Sequence, residues 1–139
     1  MKNRLGKHDI FGDLITQKRG RMAVPILVRC AQERRTITFQ ELGHAIGVSN
    51  YWRMGPILGC INTTHYNLER HADWEYGDIP CITTIVITKD GEPSKWMREQ
   101  LSDDGDTPIA WEVYERCHIH PVFEYPHWDK VIDTLMRKI

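Results

Sequence analysis

Residues 36–47 read TITFQELGHAIG, and no other stretch constrains the fold as strongly. Thr36, Ile37 and Thr38 form a short extended lead-in. Thr38 is placed to cap a helix, because its hydroxyl accepts a hydrogen bond from an otherwise unpaired backbone N–H. Phe39, Leu42 and Ile46 follow at i, i+3 and i+7, the apolar face of a short helix, and Gly47 supplies a left-handed stop. A tight turn over Gly47, Val48, Ser49 and Asn50 then leads into a longer helix. This is a helix-turn-helix pattern, which in DNA-binding proteins lays the second helix in a groove.

The flanking sequence extends the plan. Ala23, Ile26, Leu27, Cys30 and Ala31 predict a helix from about Ala23 to Arg34, with Pro25 in its first turn. Met54, Ile57, Leu58, Ile61, His65 and Leu68 predict another from Met54 to Arg70. Residues 82–88, ITTIVIT, are short and β-branched and read as a strand, with Ile85 and Ile87 on one face. Lys89-Asp90-Gly91-Glu92-Pro93 is a turn signal. Asp106-Thr107-Pro108 opens a helix to about Cys117, His118–Glu124 reads as a second strand, and Pro126 opens an amphipathic terminal helix carrying Trp128, Val131, Ile132, Leu135, Met136 and Ile139.

The expectation is an α+β, winged-helix-like helix-turn-helix domain with a small β-sheet and additional C-terminal helices. It comprises one domain over 1–139: a basic, partly irregular arm over 1–20, a three-helix helix-turn-helix core over 21–70, and a small sheet with C-terminal helices over 71–139. The expected core contains Ile26, Leu27, Cys30, Leu42, Ile46, Ile57, Leu58 and Ile61. At 139 residues the chain buries a core without a disulfide or a structural metal. Cys30, Cys60, Cys81 and Cys117 stand singly, and no secretory leader is read at the start, so a reducing, cytoplasmic setting is expected. No apolar run approaches the roughly 18 residues of a membrane span.

Charge is unevenly spread. Residues 1–35 hold nine Lys/Arg against three acids, so the near-neutral total leaves −7 on residues 36–139. A basic arm ahead of an acidic body suits a polyanion at one surface, and also fits a solvated terminus. Beside the helix-turn-helix pattern it points to nucleic acid, DNA ahead of RNA. Lys18, Arg19, Arg21, Arg34 and Arg35 are assigned to phosphates, with Thr38, Asn50, Tyr51, Trp52 and Arg53 at the groove. Asn and Arg read base edges bidentately, and a ring stacks or wedges, although Trp52 is equally suited to the core. Five cations on phosphates correspond to a log–log salt slope of about −4 to −5.

Several residues carry a resemblance. Residues 37–47, ITFQELGHAIG, resemble the tTYgelAraiG segment in the DNA-binding domain of O6-alkylguanine-DNA alkyltransferases and alkyltransferase-like proteins. Trp52-Arg53-Met54-Gly55 with Asn62 is similar to the RAVG…NP stretch of that family, and Ile79-Pro80-Cys81 to the start of its IPCHRV motif. The resemblance spans residues 36–91 and implies a winged-helix fold and DNA as partner. Phe39 replaces the family's DNA-touching tyrosine, and Trp52 stands where its inserted arginine falls. Cys81 is followed by Ile82-Thr83-Thr84 instead of His-Arg-Val, so the motif that makes the thiol reactive is not retained. Residues 79–93 with the later VFEYPHW are also similar to small bacterial proteins on the same helix-turn-helix plan.

Histidines carry the enzyme alternative. On a strand, His118 and His120 would face one side, as an acid–base pair for phosphodiester cleavage or, with a carboxylate, as metal ligands. His65, His71, Asp73 and Glu75 form a second local group. HExxH, GxSxG, glycine-rich phosphate loops and the zinc-deaminase pattern are all absent, and no cofactor or metal is expected. A non-enzymatic nucleic-acid-binding or regulatory protein is therefore the leading expectation. A small histidine nuclease is one alternative. The other is a protein-binding immunity or anti-defence factor that uses its acidic part.

Overall fold

The structure, a computed structural model, describes residues 5–50, 53–91 and 110–138. It is mostly helical with a small two-stranded sheet, an α+β arrangement. In chain order the elements are α1 (Ile15–Gln32), β1 (Ile37–Thr38), α2 (Phe39–Ile46), α3 (Met54–Glu69), a 3₁₀ turn (Ile82–Ile85), β2 (Val86–Ile87), α4 (Trp111–Tyr114), a π-turn (Glu115–Ile119), α5 (His120–Glu124) and α6 (Trp128–Arg137).

α1 is the central element and packs against α2, α3, the 3₁₀ turn, α5 and α6. It begins eight residues before the expected Ala23. Leu14 has no side-chain oxygen with which to cap, but the Gln17 Oε1 accepts the Leu14 N–H at 3.1 Å and closes the first turn from inside the helix. Pro25 consequently falls in the middle of α1, where its missing N–H leaves a gap in the ladder. Its side chain is exposed, while Ala23, Val24, Leu27 and Val28 around it are buried.

The segment over residues 5–14, without helix or strand, packs onto α3. The Gly6 N–H donates to the Gly59 carbonyl at 3.0 Å and to Thr63 Oγ1 at 2.8 Å. The Ile10 N–H donates to Thr64 Oγ1 at 2.9 Å, and Ile10 is fully buried against Gly20. This crossing needs bare backbone, since a Cβ on Gly59 would stand 3.1 Å from the Gly6 Cα.

The sheet pairs β1 with β2 in parallel, Ile37 opposite Val86 and Thr38 opposite Ile87. The strand expected over 82–88 is therefore reduced to Val86–Ile87, because residues 82–85 coil into the 3₁₀ turn. Thr84 explains the substitution. Its Oγ1 lies 2.8 Å from the Cys81 carbonyl, a local bond that competes with a ladder. Ile85, Val86 and Ile87 are all buried, and Ile85 belongs to the 3₁₀ turn, so it does not share a strand face with Ile87. The expected strand over His118–Glu124 is overturned outright, since the chain is helical from Trp111 to Glu124. Pro121 supplies no N–H to the preceding turn, and the helix widens into a π-turn just before it. Thr84 Oγ1 also lies 3.1 Å from the His118 carbonyl, and the Tyr114 hydroxyl donates to the Thr84 carbonyl at 3.0 Å. The 3₁₀ turn and the π-turn thus lock together.

The expected core is met by Leu27, Cys30, Leu42, Ile46, Ile57, Leu58 and Ile61, while Ile26 is only partly buried. The start of the helix expected over 106–117 and the end of the turn at 92–93 lie outside the described residues. α3 and α6 match their expected ranges closely. Two helical glycines make opposed predictions. Gly59→Ala should destabilise by about 1–3 kcal/mol through overpacking against the Gly6 backbone. Gly55→Ala, with open space at its Cβ, should stabilise by about 0.5–1 kcal/mol. Urea midpoints of the two variants check both signs.

Candidate nucleic-acid interface

The α2 boundaries come from side-chain chemistry. Thr38 Oγ1 accepts the Glu41 N–H at 3.0 Å, and Glu41 Oε1 accepts the Thr38 N–H at 3.2 Å, a reciprocal capping box. At the other end Gly47 takes φ 80°, and the Val48 N–H returns to the Gly43 carbonyl at 2.7 Å. Val48 is buried by that return, whereas Ser49 and Asn50 are exposed. The Arg53 N–H donates to the Asn50 carbonyl at 3.0 Å just ahead of α3. Arg53 is exposed at the α3 N-terminus. Tyr51 and Trp52 lie outside the described residues.

The expected phosphate ligands are distributed unequally. Arg19 reaches this turn, its guanidinium donating to the Gly47 carbonyl at 3.1 Å. Lys18 is exposed on α1. Arg21 is turned to the N-terminal segment, donating to the Ile10 carbonyl and, at 2.7 Å, to the Gly12 carbonyl. Arg34 has φ 57°, donates to the Phe123 carbonyl at 3.2 Å and lies 6.0 Å from the Phe123 ring centroid. Arg35 pairs with Glu33 at 2.8 Å, and Arg29 pairs with the same carboxylate at 3.3 Å. The hydrogen bonds from Arg35 and then Arg29 hold the Glu33 carboxyl below the usual carboxylate range. Thr38 is engaged in the cap. The turn also presents Gln40 and His44, which line a shallow recess of about 320 Å³ with Gly47, Val48 and Ser49. Their four-residue spacing on α2 was the available sequence signal for them.

The histidine alternative loses its geometry. On a helix, residues two apart diverge, so His118 and His120 do not share a face. His120 Nε2 lies 3.4 Å from Glu115, and the His118 ring packs 5.5 Å from the Tyr114 ring. Among the described residues no group of three or more His, Cys, Asp and Glu side chains is placed to hold a metal ion.

Two distant parts of the sequence do meet at Cys81. Its partly buried thiol lies 3.4 Å from Asn62 Oδ1 and 3.3 Å from Thr83 Oγ1, and the Thr83 hydroxyl donates to the same Asn62 oxygen at 2.8 Å. His65 lines a cleft of about 10 Å³ beside them, room for about one water. His65 is 4 % exposed, and its ring lies 6.0 Å from the Trp128 ring. Neither ring nitrogen has a hydrogen-bond partner among the described residues. Comparison with known protein families, curated proteins and solved structures finds no match to this chain.

Burial pushes the His65 pKa down from 6.5 to about 4. The unfolded chain therefore binds the proton more tightly than the folded one. The neutral ring's contribution is complete above pH 6.5 and drains away as pH falls toward 4, by about 3 kcal/mol. Stability measured by urea unfolding from pH 7 to pH 4 should show this loss, and His65→Leu should remove that part of the pH dependence.

Proposed function

We propose that the protein is a non-enzymatic nucleic-acid-binding or regulatory protein that uses α2, the Gly47 turn and α3 as a winged-helix-like helix-turn-helix unit. The observation that carries this reading is the closed turn itself. A capped α2, a left-handed Gly47 and a buried Val48 leave Asn50 and Arg53 exposed at the start of α3. That is where a recognition helix presents the side chains that read base edges. The resemblance to the DNA-binding domain of alkyltransferases favours the same module, with duplex DNA as the ligand. Alkyl transfer is not part of the proposal. The thiol sits within hydrogen-bonding reach of Asn62 and Thr83, and Ile82, Thr83 and Thr84 occupy the positions of that family's His-Arg-Val.

The side-chain engagements modify the electrostatics. Arg21 is held by carbonyls and Arg35 by Glu33, and this reading places on phosphates or bases Arg19, which reaches the turn, and Arg53, exposed at the start of α3. Two such contacts correspond to a log–log salt slope of about −2 on duplex DNA, shallower than five would give. Arg19→Ala should reduce that slope by about 0.9, and Arg53→Ala should cost about 1–3 kcal/mol on a preferred sequence if it reads a base. Salt-titrated binding to duplex and single-stranded DNA measures both. Absence of binding at low salt by folded protein would sink the nucleic-acid reading.

One observation favours a protein-partner reading as the alternative. Leu14, Ile15 and Met22, at the start and along the first half of α1, are each about half exposed, an apolar surface outside the core. For the thiol, incubation with an O6-benzylguanine probe followed by intact-mass measurement should show no covalent addition at Cys81.

A further inference from the structure

A groove of about 420 Å³ opens at the C-terminal end of α3, between residues 71–76 and the outer face of α6. This is within the size range of small-molecule sites. α3 is 16 residues long, so the groove lies roughly 24 Å along the helix from Arg53 and is separate from the turn described above.

Its aromatic wall is preformed. The Trp74 indole N–H donates to the Gly77 carbonyl at 2.7 Å, and the Trp74 ring meets Tyr76 edge-on at 5.1 Å. Tyr76 in turn packs on His127 at 4.7 Å, and its carbonyl accepts the Tyr125 hydroxyl at 3.2 Å. The opposite wall, from α6, sets Asp133 among three exposed cations, Lys130, Arg137 and Lys138. Among the described residues their charged groups form no hydrogen bond or ion pair. Asp73, Glu75 and Asp133 also line the groove, with Asp73 placed 3.8 Å from His71.

We infer that this groove binds a nucleoside monophosphate. The base stacks at Trp74, the phosphate takes Arg137 with Lys130 or Lys138, and the carboxylates accept from sugar hydroxyls and exocyclic amines. The mixed charge is what selects this class. Three carboxylates beside three cations penalise a bare polyanion, whereas a ligand with one anionic end and several neutral donors satisfies both walls. An aromatic wall held in place adds a ring-stacking surface without an ordering cost on binding. This inference does not depend on DNA binding at the turn.

Calorimetric titration of the full chain with AMP, GMP, CMP and UMP tests it, with adenosine and inorganic phosphate as partial ligands. At least one monophosphate should bind, with adenosine and phosphate each at least about tenfold weaker. Trp74→Ala and Arg137→Ala should each weaken binding by about tenfold or more. Arg137 is exposed, so its variant decides the matter even if Trp74→Ala does not fold, and circular dichroism checks both. No binding of any monophosphate at millimolar concentration overturns the inference. So does binding that survives Arg137→Ala, or binding abolished by Arg53→Ala alone, which would place the ligand at the turn.

Discussion

Among the described residues α1 is the element on which five others pack. Its buried face, from Gly20 through Ala23, Val24, Leu27 and Val28 to Ala31, meets α2, α3, the 3₁₀ turn, α5 and α6. A helix with neighbours on several sides needs small residues where they approach. Gly20 admits Ile10, and Ala23 and Ala31 are fully buried. The same crowding makes Pro25 tolerable, because packing outweighs a local ladder defect whose intrinsic cost is about 3 kcal/mol. The N-terminal segment belongs to this arrangement: Thr63 and Thr64 on α3 satisfy its backbone, and Ile10 fills the space left by Gly20.

α2 was legible in the sequence to the residue because both of its ends are written in side chains. Thr38 with Glu41 defines the start, and Gly47 defines the stop. The start of α1 was not legible, because its cap is Gln17 reaching back to Leu14, a device without a sequence signature at the cap position itself. Residues 82–88 looked like a strand on β-branched composition. Thr84 spends its hydroxyl near the Cys81 and His118 carbonyls, and that choice is set by a partner 34 residues away. The stretch His118–Glu124 failed for a related reason. Pro121 is accommodated by the π-turn that precedes it, and Ile119 and Val122 are buried as helical neighbours.

For the candidate interface, residue type was legible and availability was not. Counting basic residues in the first 35 positions treats each as a free charge. In the fold, Arg21 closes the N-terminal segment, Arg34 ties the end of α1 to Phe123, and Arg35 shares Glu33 with Arg29. These are structural uses of the guanidinium fork, which suits carbonyls and carboxylates as well as phosphates. Arg19 differs because its partner, the Gly47 carbonyl, belongs to the turn itself. One hydrogen bond of that kind leaves most of the guanidinium's donors uncommitted while fixing where the charge sits.

The groove at the other end of α3 was illegible for a topological reason. Its aromatic wall comes from residues 74–76 and its cationic wall from residues 130–138, and neither stretch carries a motif. On the terminal helix, Lys130 and Arg137 seven residues apart read as the solvated face of an amphipathic helix whose other face, with Trp128, Val131 and Leu135, is buried. The aromatic residues explain why that helix is oriented as it is. Trp128 packs on His65 and Tyr125, Tyr125 on His127, and His127 on Tyr76, so a chain of ring contacts runs from the buried His65 of α3 to the groove wall. The packing that buries the apolar face of α6 therefore also sets its charged face opposite Trp74, and the groove is a direct consequence of how the core closes.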